Sequence, residues 1–430
     1  MNPRALLNLL QGNPGIRRLW IAETSSSFGD YFFQIAMMWL IYTRTGSGFA
    51  TGLMLVVAVL PLVILGPVFG VVADRWNRKR IMQLANLLQA LLAACLALAL
   101  LFGMRILWPL YVITALLETT NVVYSPARAG IFTDLVPPDQ LLNANSLFST
   151  SRQGARLVGS VSGGLVMATL GPVPAIGFDA LMYLCAAFFI TRISYRKPPV
   201  LEPDPKNLKL SGWQEFALGW RWLRQHPVIL ILTTIGMLSN VALGPANVLA
   251  PMLIRTTLHS SAAGLGVFDA AIGLGIMVGG LVIGSLSIQR VGLVFCCALS
   301  LEGIAMAVVA WAPTLAVADL GNFVFGFGLV SANVPASTMH QRLVPGPMRG
   351  RVSSITSMIS GFAIPITYGG VGWLGDIVGA RGSYAGAALL LGGCMTLGLL
   401  VHSLRSLNLA RLEPGPPSRP EPGPNYEAQI

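Results

Sequence analysis

The sequence has little charge. Asp, Glu, Lys and Arg make up 10% of its 430 residues, where a soluble domain carries about 25%. Together with 54% hydrophobic residues and a mean hydropathy of +0.68, the deficit excludes an ordinary cytosolic enzyme and a disordered, charge-rich chain. Cysteine is scarce too. Cys95, Cys185, Cys296, Cys297 and Cys394 all lie in apolar runs, odd in number and without a C-x-x-C pair. They exclude a disulfide scaffold or a zinc site and read as buried small apolar side chains. There is no G-x-x-x-x-G-K-[ST] phosphate loop, so ATP-driven work is not expected of this chain. There is no H-E-x-x-H or other metal spacing, and aromatic residues do not alternate with basic ones on a polar face. Neither a metal, a cofactor nor a nucleic-acid partner is therefore expected.

The long apolar runs explain the deficit. Helices that cross a bilayer need about 20 mostly apolar residues. Twelve such runs occur, near 17–43, 49–72, 80–102, 106–127, 145–170, 173–192, 227–252, 262–288, 291–312, 314–338, 354–378 and 383–404. The first contains Glu23 and Asp30 and lacks a small-residue cleavage site, so it is not expected to be a cleaved signal peptide. The charge that is present is lopsided, with 28 Lys+Arg against 17 Asp+Glu and a net +11. If the N-terminus is placed in the cytoplasm and the sides alternate, 24 of the 28 basic residues fall on the cytoplasmic side. The positive-inside rule then predicts a multi-pass protein of the cell's inner membrane with both termini cytoplasmic. Residues 193–226 form the one long polar stretch between runs. It begins as a Pro- and charge-rich linker. It continues as an amphipathic helix, with Trp213, Phe216, Trp220 and Leu223 at helical spacing, expected on the inner membrane surface. Residues 406–430 read as a disordered Pro/Gly-rich tail.

The runs repeat at an offset of about 210 residues. Pro126-Ala127 followed by Leu135-Val136-Pro137 matches Pro335-Ala336 followed by Leu343-Val344-Pro345, and Gly70 matches Gly284. The predicted fold is thus an all-α integral membrane protein of 12 transmembrane helices in two parallel six-helix halves, 1–192 and 227–405. That is the layout of a secondary transporter with a site near midplane between the halves. Gly66/Gly70, Gly159/Gly163, Gly275/Gly279 and Gly280/Gly284 form small-residue stripes on which helix backbones can approach closely.

The loop after the second run reads Gly70-Val-Val-Ala-Asp74-Arg75-Trp76-Asn77-Arg78-Lys79-Arg80. It resembles the G-x-x-x-D-R-x-G-R-K/R motif between helices 2 and 3 of the major facilitator superfamily. Asn77 replaces the usual glycine and is expected to tolerate a left-handed backbone. The resemblance implies that Gly70, Asp74, Arg75, Arg78 and Lys79 latch a cytoplasmic gate. Gly159-Ser160-Val161-Ser162-Gly163-Gly164 resembles the helix 5 motif of the family's antiporters, with Ser160 in place of proline. Ser27-Phe28-Gly29-Asp30, Ala144-Asn145-Ser146-Leu147 and the stretch from Gln341 through Arg349-Gly350-Arg351-Val352 are similar to the branch of macrolide-efflux proteins and enterobactin-type siderophore exporters.

Ionisable residues inside such runs cost about 2.5–3.5 kcal/mol each at a helix centre, which makes them candidates for function. Asp30 and Glu118 sit mid-run, and the resemblance implies that their helices line one cavity. They suit a proton site or a clamp on a cationic substrate, or, for Asp30, a structural hydrogen bond near Gly29. Arg156 lies one turn beyond Arg152 and is deep enough to pair with Glu118, to meet an anionic substrate group, or to snorkel. Asn240 and Asn333 could offer neutral hydrogen bonds to substrate or to a neighbouring helix. Asp179, Asp269 and Asp319 read as shallower. Glu302 sits mid-run with no assignable partner. The expected function is export of a small amphiphilic drug, macrolide or siderophore by proton antiport, with protons, the substrate and membrane lipid as partners and a monomeric state. Multidrug resistance and siderophore export are the roles this would serve. A lysophospholipid translocator, or a transporter-like sensor or scaffold, would use the same fold.

Overall fold

A backbone in hydrocarbon must satisfy its own hydrogen bonds, so long apolar runs fold as helices. The computed structural model describes residues 9–195, 212–286, 288–405 and 407; among them every long element is helical and no strand occurs. The helices are α1 (Pro14–Thr45), α2 (Gly48–Arg75), α3 (Arg78–Leu101), α4 (Trp108–Leu135), α5 (Leu141–Thr169) and α6 (Pro172–Thr191). After the segment 196–211 follow α7 (Gly212–Gln225), α8 (Pro227–Ala242), α9 (Ala262–Ser285), α10 (Val291–Ala310), α11 (Leu315–Leu343) and α12 (Gly346–Leu400).

Among the described residues, eight helical segments are long and apolar enough to cross a membrane. Twelve runs were expected, and the difference has two physical sources. Helices α1, α4 and α5 are of span length but too polar, because they carry Glu23, Asp30, Glu118, Arg128, Arg152 and Arg156. Helix α12 is continuous by hydrogen bonding but is divided at Gly379, whose φ of 76° leaves the helical region. The expected run 227–252 is also broken. After α8 come Gly244–Val248, Ala250–Met252 and a π turn at Leu253–Thr257. Pro245 and Pro251 begin the two short pieces, since proline cannot donate to the preceding turn.

The repeated Leu-Val-Pro segments fold alike. Helices α4 and α11 both contain an internal proline, Pro126 and Pro335. Both end at an extended valine, Val136 at φ −94°, ψ 122° and Val344 at φ −91°, ψ 120°. The following proline bars its predecessor from helical geometry and so sets each helix end. Asn77 does not adopt the expected left-handed backbone. It is extended, at φ −73°, and its side chain caps α3 by accepting from Lys79 N at 3.0 Å and Arg80 N at 3.2 Å.

Helix α7 lays its apolar face against α12. Leu223 is buried with Ile229, Val344, Val352 and Ile355, Phe216 packs against that cluster, and Gly219 lies beside Ile355 and Arg351 of α12. Trp220 stays 37% exposed. The side chain of Trp213, most of the linker and the tail beyond Leu407 lie outside the described residues. The outer surface is apolar, with Leu62, Ile64, Ile366 and Leu389 all well exposed, as a chain solvated by lipid requires. Cys95 and Cys297 belong to that exposed surface and are not buried as expected, while Cys296 and Cys394 are buried.

Helices α1–α6 pack on one another, as do α8–α12, and the two sets meet through α5 against α9 and α2 against α12. Both seams close at the end opposite the basic residues. A Cβ on Gly266 would stand 2.2 Å from the Ser160 carbonyl oxygen, and one on Gly372 would stand 2.6 Å from that of Gly48. Asp376 of α12 caps the first turn of α2, accepting from Ser47 Oγ at 2.6 Å, Gly48 N at 2.5 Å and Phe49 N at 3.0 Å. Earlier in α12, nothing stands within 4 Å of a Cβ on Gly361.

Candidate functional site

Glu23 and Asp30 lie seven residues apart on α1 and so share a face. Both line a cavity of about 360 Å³ whose wall also holds Gln34, Asn86, Gln89 and Arg152. A tyrosine serves each acid: Tyr124 of α4 donates to Glu23 Oε1 at 2.5 Å, and Tyr183 of α6 donates to Asp30 Oδ1 at 2.5 Å. Arg128 Nε stands 3.6 Å from Glu23 Oε2. Glu118 is reached through a relay, in which Gln89 donates to Asn121 Oδ1 at 2.6 Å and Asn121 to Glu118 Oε2 at 3.1 Å. Asp30 and Glu118 are within electrostatic reach of each other and of Asp179. Asp179 is fully buried, not shallow as its position in the run suggested. A Cβ on Gly29 would stand 2.6 Å from its Oδ1, and neither of its carboxylate oxygens has a hydrogen-bond partner. Acids from α1, α4 and α6 thus converge.

Arg156 does not meet Glu118. Its guanidinium forks onto Asp269 of α9, with Nη2 at 2.7 Å and Nε at 3.3 Å, and Ser160 Oγ adds a bond to the same carboxylate at 2.6 Å. It also stands 6.0 Å over the Tyr31 ring. The pair therefore ties α5 to α9 beside the small gap shared by Gln34, Asn247 and Asn322. Gly159 and Gly163 seat α5 on Tyr31 and Phe32 of α1, while Gly164 faces Ala262 and Gly266 of α9. In the gate motif, Arg78 pairs with Asp134 at 2.8 Å and Lys79 donates to the Thr191 carbonyl oxygen at 2.9 Å. Tyr195 donates to the same Asp134 at 2.7 Å; burial, then this bond, hold its phenol above the ordinary tyrosine pKa. The side chains of Asp74 and Arg75, and the surroundings of Gly70, lie outside what is described.

Asn240 and Asn333 stand in a different place from Asp30. They line a second cavity, about 640 Å³, between α8, α10, α11 and the start of α12. Glu302 forms part of its wall. Sequence reasoning missed this role for Glu302 and missed Glu23, Tyr183 and Asp376. The seven-residue spacing of Glu23 and Asp30 was the available signal for the first of these; the tyrosines gave none. Among the described residues, no group of three His, Cys, Asp or Glu is placed to hold a metal ion.

The profile of the MFS_3 family, transmembrane secretion effectors, matches residues 12–424. The chain belongs to this family. Among the relatives of this MFS_3 member, the uncharacterised MFS-type transporter YvqJ of Bacillus subtilis (strain 168) is 24% identical over 95% of this chain and 97% of its own. Macrolide efflux protein A of Streptococcus pyogenes is 22% identical over 81% of this chain and 86% of its own. Among solved structures, a bacterial homologue of the human lysosomal transporter Spinster, in an inward-facing and unoccupied conformation, superposes with a TM-score of 0.66. It is 15% identical, over 96% of this chain and 98% of its own, and shows a shared fold. The protein is therefore a multi-pass membrane transporter of the MFS type with efflux relatives, and not an enzyme.

Proposed function

We propose that the chain exports a small amphiphilic molecule across the inner membrane by proton antiport with alternating access. The observation that carries this reading is the convergence of Glu23, Asp30, Glu118 and Asp179 beside a cavity of about 360 Å³. In this reading the chain has twelve spans in two parallel six-helix halves, and the matching Leu-Val-Pro helix ends support that repeat. The basic end is cytoplasmic, as 24 of 28 basic residues argue, and the state described is inward-facing. Asp30 and Glu118 exchange protons as the halves rock, and the membrane potential contributes about 2.3 kcal/mol per charge per 100 mV. Gly70, Asp74, Arg75, Arg78 and Lys79 then latch the inner gate in the alternate state. The polar wall, with Gln34, Asn86 and Gln89, favours a water-borne amphiphile over a lipid sliding in from the side.

The test is flux in proteoliposomes under a pH gradient, with macrolides, catechol siderophores and lysolipids as candidate substrates. Asp30→Asn and Glu118→Gln are each expected to reduce proton-linked export about five- to 150-fold, the span of ordinary coupling energies. Full coupling in both variants would sink the reading.

A further inference from the structure

Three basic side chains gather where α6 ends. Lys79 of α3 donates to the Thr191 carbonyl oxygen at 2.9 Å, and Arg18 of α1 donates to the carbonyl oxygen of Arg192. The Arg192 guanidinium stands 4.9 Å over the Phe188 ring and makes no hydrogen bond among the described residues. The two carbonyls are consecutive, so they hold an ammonium and a guanidinium side by side. Among the described residues none of these three cations has an ion pair, and Asp134 of α4 is taken by Arg78 and Tyr195. A carbonyl offers only a partial charge, and Lys79 and Arg18 both keep N–H donors to spare. The cluster therefore has the charge and the donors to hold an anion. Away from the basic end it runs into an apolar strip. Helices α3 and α6 are antiparallel and packed together, with Ala90 and Tyr183 in one buried cluster. Leu84, Leu88 and Leu91 of α3 recur at helical spacing, as do Leu181, Leu184 and Phe188 of α6, and all six are exposed. From Lys79 to Leu91 the strip runs about 18 Å, close to the depth of one leaflet's hydrocarbon, about 15 Å.

We propose that this corner binds one anionic phospholipid from the leaflet at the basic end, with its phosphate on Lys79, Arg18 and Arg192. One acyl chain lies along Leu84, Leu88 and Phe188, between α3 and α6. A lipid fits better than a free anion because the apolar strip begins where the cations end. Each Lys or Arg near the surface adds about fivefold to the attraction for an anionic lipid. A zwitterionic lipid brings its own cation and leaves the three unbalanced. The bound phosphate ties α1, α3 and α6 together by charge. The site lies within one helix set, so it does not depend on the export reading.

The experiment is fluorescence quenching in vesicles that hold the full chain. The exposed Cys95 and Cys297 are replaced by alanine, and a bimane is placed on Leu88→Cys. Chain-brominated phosphatidylglycerol and phosphatidylcholine are compared as quenchers at equal mole fraction. Phosphatidylglycerol is expected to associate about tenfold more strongly than phosphatidylcholine, and high salt should erode the preference. Leu281→Cys is the reference, exposed near the same end of α9 and away from the cluster; it is expected to show little preference. Arg192→Gln removes an exposed guanidinium with no hydrogen bond among the described residues. This variant is expected to melt like its parent and to lose the preference about fivefold. Adding Arg18→Gln should remove what is left. Equal quenching by the two lipids at Leu88→Cys, the same preference at Leu281→Cys, or an undiminished preference in Arg192→Gln would each overturn the proposal. Loss of the preference on adding dilute inorganic phosphate would give the cluster to a free anion and overturn it too. No gradient or transported substrate enters the measurement, so failure of the export reading leaves its result standing, and the reverse.

Discussion

At the scale of single residues, the site is built from charges that have found partners far along the chain. Arg156 and Asp269 are 113 positions apart, with both side chains about four-fifths buried. Removing one member of a fully buried pair costs about 3–5 kcal/mol; partial exposure here reduces that to about 1–3 kcal/mol. A double-mutant cycle on Arg156→Met and Asp269→Asn, read by thermal unfolding, is expected to give a coupling energy above about 1 kcal/mol. Additive effects would contradict the fork. Asp30 and Glu118 were legible in the sequence because a charge in an apolar run stands out. Tyr183 was not, because it is an ordinary residue in such a helix and becomes a donor to Asp30 only when α6 packs on α1; Asn121, one turn after Glu118 on the same helix, was readable from its spacing and was passed over. Asp376 escaped notice for another reason: near a helix end an acid looks merely solvated.

At the scale of elements, the most polar long helices are the ones that hold the candidate site. Helices α1, α4 and α5 carry Asp30, Glu118 and Arg156, and these charges dilute the apolar signature that their neighbours keep. Helix ends were easier to read, since Pro137 and Pro345 fix Val136 and Val344 by local sterics alone. The break at Gly379 and the interrupted stretch 244–257 depend on packing and left only weak marks in the sequence. Between elements, the α5–α9 seam depends on glycine. A side chain at Gly266 would collide with the Ser160 carbonyl, an atom that cannot move away. Gly266→Leu is therefore expected to hold this seam apart, with at least about 1–3 kcal/mol of overpacking against the closed form. Cysteine labelling at Ala262, at the start of α9 and now buried, should then become fast. Slow labelling, as in the wild type, would show that the seam tolerates the side chain.

At the scale of the molecule, the two seams between the helix sets are shut at the end opposite the basic residues. The cap of α2 by Asp376 belongs to the shut state only, because the two groups sit on different helix sets. Losing a cap costs about 0.5–2 kcal/mol, which corresponds to about two- to thirtyfold in the balance between states. Asp376→Ala is expected to move that balance away from the state described here, seen as a wider spin-label distance between α2 and α12 at this end. An unchanged distance distribution would remove Asp376 from the gate. The cap has one more consequence. When α12 moves off, the hydroxyl of Ser47 and the amides of Gly48 and Phe49 lose their acceptor at a surface already open to solvent. Water takes the place of the carboxylate at once, so the parting of the helices is the step that frees those amides. The amide hydrogens of those first residues of α2 are its natural clock.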